Sequence, residues 1–262
     1  MKDRILGAAI LVVLLLPAFF IGGWLMKVVI SLVTCGAIYE LLKTTNKKTP
    51  VIIYILSMVL ALMFVNKDSI GCISPEIFSS YTYLMLSAVV LLVPCIFLRE
   101  KGYGANDALK ALGSVLFVGL AFSSISKLYD INKYQVLFVV LIAVTTDVFA
   151  LFGGMLIGKT PLTKISPKKT VEGSCVGTII CFIVCTTYYV LVLHSYKLGI
   201  VLPMVIVLSI AGQIGDLFFS LIKRENNIKD YSHLIPGHGG ILDRFDSLIF
   251  ISLVYSLIIN II

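Results

Sequence analysis

Charge is scarce in this 262-residue chain: Asp, Glu, Lys and Arg together make up 13% of it, while 59% of its residues are hydrophobic. Soluble domains carry roughly 25% charged and 45–50% apolar residues. A single soluble core of this length cannot hide so much apolar surface, and a mean hydropathy of +1.04 spreads the excess along the whole chain. The same composition excludes a disordered regulator. The six cysteines, at 35, 72, 95, 175, 181 and 185, form no C-x-x-C pair and no Cys/His cluster, so neither a zinc site nor a disulfide framework is expected. There is no Gly/Ser/Pro-rich linker, no repeat of fixed period and no loop beyond roughly twenty residues, which leaves no place for a separate soluble domain.

What is present is the pattern of a polytopic membrane protein. Nine segments approach the roughly 17–25 apolar residues that cross a bilayer. They are 5–21, 23–42, 51–66, 82–98, 108–126, 134–158, 173–193, 198–222 and 241–262. The expected fold class is therefore all-α, one helical membrane domain over 1–262, with five spans in 1–133 and four in 134–262. Met1 to Phe20 has a basic lead, Lys2 and Arg4, like a signal peptide, but lacks a small-x-small cleavage site and reads as an uncleaved first span.

The formal net charge is +7. In a soluble protein it would suggest nucleic acid; in a membrane protein its placement matters more, and no nucleic-acid partner is expected. With nine spans, the N-terminus and the loops after the second, fourth, sixth and eighth spans share one side. That side carries fifteen basic residues: Lys2, Arg4, Lys43, Lys47, Lys48, Arg99, Lys101, Lys110, Lys159, Lys164, Lys168, Lys169, Lys223, Arg224 and Lys229. The opposite side carries Lys67, Lys127, Lys133 and Lys197. The imbalance predicts a cytoplasmic N-terminus and puts the two most polar loops, 159–172 and 223–240, in the cytoplasm.

Four aspartates fall inside otherwise apolar spans: Asp147, Asp216, Asp243 and Asp246. A charge at such a position costs roughly 2.5–3.5 kcal/mol on insertion scales and marks a functional candidate. Gly212, Asp216, Ser220 and Lys223 follow at spacings that put them on one helical face, and Asp243 and Asp246 share another. Asp147, Ala150, Gly154 and Gly158 make a face of small residues that lets another helix or a ligand come close. As packing elements alone, these carboxylates would pair with buried cations, and Asp246 has Arg244 nearby. Hard oxygen ligands beside basic loops suit Mg²⁺ holding a polyphosphate better than a soft metal.

Two motifs mislead. Gly153 to Thr160 satisfies G-x-x-x-x-G-K-[ST], yet it closes a predicted membrane helix, whose C-terminal dipole repels phosphate. Gly212-Gln-Ile-Gly215-Asp216 is one residue too long for the Gly-x-Gly-Asp of intramembrane aspartyl proteases, and Tyr129-Asp130 sits in an outer loop.

The run Ser220-Leu-Ile-Lys-Arg-Glu-Asn-Asn-Ile-Lys-Asp-Tyr-Ser-His-Leu-Ile-Pro-Gly-His-Gly-Gly-Ile-Leu-Asp-Arg-Phe-Asp246 closely resembles the signature of the phosphatidate cytidylyltransferases, or CDP-diglyceride synthases. Ser166-Pro-Lys-Lys-Thr-Val-Glu-Gly173, preceded by Asp147 and Gly158-Lys159, looks like that family's second block, with Val171 where the family commonly has Trp. The resemblance implies transfer of CMP from CTP to phosphatidate, a membrane lipid, giving CDP-diacylglycerol and pyrophosphate in phospholipid synthesis. It implies an inner-membrane, multi-pass enzyme with its site towards the cytoplasm, dependent on Mg²⁺, alone or with a second cation, and a homodimer is one of the states it allows. It makes Asp216 and Asp243 metal ligands, with Asp246 and Asp147 as further ligands or orienting groups.

That chemistry brings two anions together while a third departs, which calls for cations more than for covalent catalysis. Lys223 and Arg244 join Asp216 and Asp243 as catalytic candidates. Lys159, Ser166, Lys168, Lys169, Glu172, Ser220, Arg224, Lys229, Asp230, His238, Gly239 and Gly240 are candidates for holding either substrate. The Gly237 to Gly240 turn could offer backbone N–H donors to phosphate, with His238 donating to pyrophosphate or stabilising the turn. A lateral opening for the lipid is expected between the sixth, eighth and ninth spans. The alternative is a cation-coupled transporter using the same aspartates. It predicts inverted repeats and charges near the midplane, whereas Asp216 and Asp243 lie within a turn or two of the cytoplasmic end.

Overall fold

The computed structural model describes residues 16–45, 49–67, 80–232, 234 and 239–262. Within them every regular element is helical, and strand-like pairing is confined to isolated bridges such as that between Pro161 and Thr170. After helical residues 16–21 come α1 (Gly23–Thr45), α2 (Val51–Val65), α3 (Ser80–Leu92), α4 (Pro94–Leu98), α5 (Ala105–Ile131), α6 (Lys133–Ile157), α7 (Val171–Tyr188), α8 (Leu198–Glu225) and α9 (Leu242–Ile261). A 3₁₀ turn follows α4 and a π turn, Tyr189–Leu193, continues α7.

Seven stretches are long and apolar enough to cross a membrane, with Thr82–Lys101 taking α3, α4 and the 3₁₀ turn as one and Val171–Leu193 taking α7 with its π turn. Helix α2, at 15 residues, is shorter. The expected first span lies largely outside the described residues. The largest shift of boundary is at α5, whose ends carry Asp107, Lys127 and Asp130: backbone hydrogen bonding continues the helix past the point where hydropathy stops marking it.

The chain divides into two compact units. One comprises residues up to Lys127 together with Asn226–Arg244, and the other Leu128–Glu225 together with Phe245–Ile262. In the first, α1 packs on α2 and α2 on α3. Helix α5 lies against α2 at Gly119, where a Cβ would make ordinary contact with Phe64 at 3.4 Å and the Ala61 backbone at 3.5 Å. Phe64 meets Tyr83 of α3 at 5.7 Å between ring centroids. Tyr103, between α4 and α5, is fully buried and donates its hydroxyl to the Leu91 carbonyl at 2.9 Å.

The second unit is built on the pair α6 and α7. Lipid is as apolar as leucine, so membrane helices associate through close packing and hydrogen bonds rather than by hiding apolar surface from water. Gly173 and Gly177, one turn apart on α7, lie directly on α6: a Cβ at Gly177 would fall 2.6 Å from the Thr146 carbonyl oxygen, and one at Gly173 2.8 Å from the Gly154 nitrogen. A chain of polar side chains then stitches α6, α7 and α8 together. Thr146 bonds Ser209 at 2.9 Å, Ser209 bonds Thr178 at 3.3 Å, and the Gln213 amide donates to Thr178 at 2.9 Å. Helix α9 packs on α8 at Gly212 and Gly215, where a Cβ would meet Ile251 and Phe250 at 2.8 Å. Gly212 of the predicted polar stripe is thus a packing residue.

Candidate functional site

Helix α6 starts at Asn132, whose side chain accepts from the Tyr134 amide, and ends where Gly158 leaves helical geometry. The Gly153 to Thr160 run is therefore a helix C-terminus with no strand before it, as its rejection as a phosphate loop requires. The chain then folds into a short hairpin: the Leu162 amide bonds the Lys169 carbonyl at 2.7 Å, and the Val171 amide bonds the Thr160 carbonyl at 2.9 Å. Thr170 caps α7 by accepting from the Gly173 amide at 3.1 Å. Glu172, in the first turn of α7, closes the hairpin by accepting from the Lys159 and Thr160 amides at 3.1 and 3.2 Å. Two residues expected to touch substrate, Lys159 and Glu172, are thus tied to one another and shape the loop.

The hairpin roofs a cavity of about 420 Å³ within the second unit. Its polar wall is Asp147, Ser166, Lys168, Lys169, Thr170, Ser174, Gln213 and Asp216, and its apolar wall is Ala150, Leu151, Gly154, Met155 and Leu162. Lys169 forms an ion pair with Asp216, and the Ser220 hydroxyl donates to the other oxygen of Asp216 at 3.3 Å. Asp147 accepts from the Ser247 hydroxyl at 3.2 Å, and Asp246 accepts from the Ser247 amide at 2.8 Å. Asp147 and Asp246 both lie within electrostatic range of Asp216, with Lys169 and Lys223 as nearby positive charges. The fold thus brings together Asp147, Ser166, Lys168, Lys169, Asp216, Ser220, Lys223 and Asp246 from four sequence segments. Arg224 is exposed in the last turn of α8.

These residues suit a hard divalent cation. Mg²⁺ keeps several waters and takes one or two carboxylates together with substrate phosphates, so three oxygen donors in electrostatic range fit it. A cage made of protein alone is not seen: among the described residues no three His, Cys, Asp or Glu side chains stand together as ligands. The same wall of Leu151 and Met155 is 63% and 73% exposed, so the cavity's apolar side is also an outward face of α6. α9 contributes nothing to the lining, which comes from α6, the hairpin, α7 and α8.

The other candidates belong to the first unit. Asp243, in the first turn of α9, accepts the Tyr231 and Gly240 amides at 2.9 Å on one oxygen. Gly239 has φ +80°, and a Cβ on it would stand 2.9 Å from Asp243 and 3.5 Å from Asp230. The Arg244 amide bonds the Ile241 carbonyl, and Lys229 and Asp230 are exposed. His238 and Gly237 lie outside the described residues.

Sequence reasoning missed three residues here. Ser174 and Gln213 line the cavity and hydrogen-bond each other. Glu40 of α1 is fully buried and accepts the Ile241 and Leu242 amides at 2.9 Å. The signal for Glu40 was the one that found the aspartates, an acid inside an apolar run. Ser174 and Gln213 carry no such signal.

Comparison with known proteins places the chain in a family. The profile of the cytidylyltransferase family matches residues 2–262. The chain is 33% identical over 256 residues to a protein of Staphylococcus saprophyticus named phosphatidate cytidylyltransferase, covering 96% of each. It is 31% identical to the protein of that name from Staphylococcus aureus, again covering 96% of each. To the one from Bacillus subtilis it is 28% identical, covering 96% of this chain and 94% of that protein. The chain belongs to the cytidylyltransferase family.

Proposed function

We infer that the protein is a CTP-dependent cytidylyltransferase acting on phosphatidate. A phosphate oxygen of the lipid attacks the α-phosphorus of CTP, the bond from that phosphorus to the bridging oxygen breaks, and pyrophosphate leaves. The observation that carries the reading is the cavity under the 158–170 hairpin. Two lysines, two serines and two carboxylates stand on one wall, and outward-facing apolar side chains line the other, so it suits a substrate with an anionic head and a lipid body. Family membership favours this over the cation-coupled transporter.

In this reading Lys168 and Lys169 neutralise phosphate oxygens, and Ser166 and Ser174 orient them. Asp216, with Asp147 and Asp246 nearby, would hold the divalent cation; Asp243 enters as a ligand through the motif resemblance alone. When bound, Mg²⁺ supplies positive charge against the phosphate oxygens and the departing pyrophosphate. Lys169, paired with Asp216 on the polar wall, is placed to neutralise a substrate phosphate beside that carboxylate. The site faces the cytoplasm of a bacterial inner membrane, on the strength of the basic loops.

The test is pyrophosphate release from CTP and phosphatidate by detergent-purified protein, with and without Mg²⁺. Asp216→Asn and Asp243→Asn are each expected to lose at least about a hundredfold. Full activity in Asp216→Asn would overturn the metal assignment, and an inactive, folded parent would overturn the reaction.

A further inference from the structure

We propose that Glu40 is a positioning residue whose carboxylate fixes the start of α9 and, through it, Asp243. It lies on α1, 201 residues before Ile241, and is fully buried. One of its oxygens accepts from the Ile241 amide and the Ser232 hydroxyl, and the other from the Leu242 amide. The first amides of a helix have no intrahelical carbonyl to bond and sit at its positive end, so a buried carboxylate is well matched to them. Steric fit agrees. Gly36, one turn before Glu40, makes room for Ile241, whose side chain a Cβ there would strike. A Cβ on Gly240 would stand 2.6 Å from both Glu40 oxygens.

Two carboxylates therefore divide the amides at this corner. Glu40 takes those of Ile241 and Leu242, and Asp243 takes those of Gly240 and Tyr231. All four amides come from the segment carrying the family signature. Releasing Glu40 frees the helix start to shift, and Asp243 moves with it. Glu40 touches neither substrate in this account. The inference rests on the reading that this segment serves cytidylyl transfer.

Glu40→Gln keeps the side chain's shape but turns one acceptor into a donor facing an amide. Hydrogen exchange at Ile241 and Leu242 is expected to quicken about tenfold or more, and kcat to fall about tenfold with KM for phosphatidate unchanged. Exchange in α6 and α7 should stay as in the parent. Glu40→Asp, which keeps the charge, should recover part of kcat. Gly240→Ala, which displaces the carboxylate without removing it, should reproduce the local exchange and serves if Glu40→Gln does not fold. Unchanged exchange at Ile241 and Leu242, or an increase spread over the whole chain, would overturn the proposal. A parent inactive on CTP and phosphatidate would refute the underlying reading, while the exchange comparison would still decide what Glu40 does.

Discussion

At the scale of the residue, the clearest contrast is between side chains that are costly to bury and those that are not. Asp147, Asp216 and Asp246 stand out in the sequence because a charge in an apolar span has to be matched by something, and the fold supplies Lys169, Ser220 and Ser247. Ser174 and Gln213 are neutral, insert at little cost and form their bonds across helices, so nothing local points to them. Tyr103 shows burial acting outside the spans. Enclosure in an apolar setting, with Cys95 and Asp107 adding to it, pushes its phenol up to about 12. The folded state thus holds this proton more tightly than the unfolded one, whose phenol titrates near 10. The contribution is complete below about pH 10 and is lost as pH rises to about 12. Unfolding of the detergent-solubilised protein should show the parent losing stability relative to Tyr103→Phe across that window, and a constant gap would contradict it.

At the scale of the element, apolar length reads out the helices, while their partners depend on where small residues fall. Gly173 and Gly177 face α6 so closely that any side chain meets backbone, which cannot rotate away. Gly177→Val is therefore expected to cost about 1–3 kcal/mol, as overpacking does, and to loosen the cavity wall along with the helix pair. Thermal unfolding in detergent would register it, with Gly199→Val, where a Cβ meets open space, as the control. The small face of α6 was readable as a surface for a helix or a ligand. In the fold it is both: Gly153 and Ala150 take α7, and Gly154 also borders the cavity.

At the scale of the whole molecule, the basic loops lead to a topological prediction. Cysteines introduced at Lys164 and Lys229 should react with a membrane-impermeant reagent only after the cytoplasmic side is opened, and those at Lys133 and Lys197 from outside in intact cells. The opposite pattern would invert the protein and move the cavity's hairpin away from cytoplasmic CTP. By itself the sequence determined that the chain is helical and membrane-embedded, roughly where its helices run, and which chemistry its signature resembles. Hydropathy and charge are properties of single residues and short windows, and a dense motif keeps its meaning without coordinates. Tertiary structure alone decided that Lys169 pairs with Asp216, that Glu172 closes the hairpin, that Ser174 and Gln213 face the cavity, and that Glu40 receives the start of α9. Those relations join residues up to about two hundred positions apart through hydrogen bonds and steric fit, and no local window holds both partners.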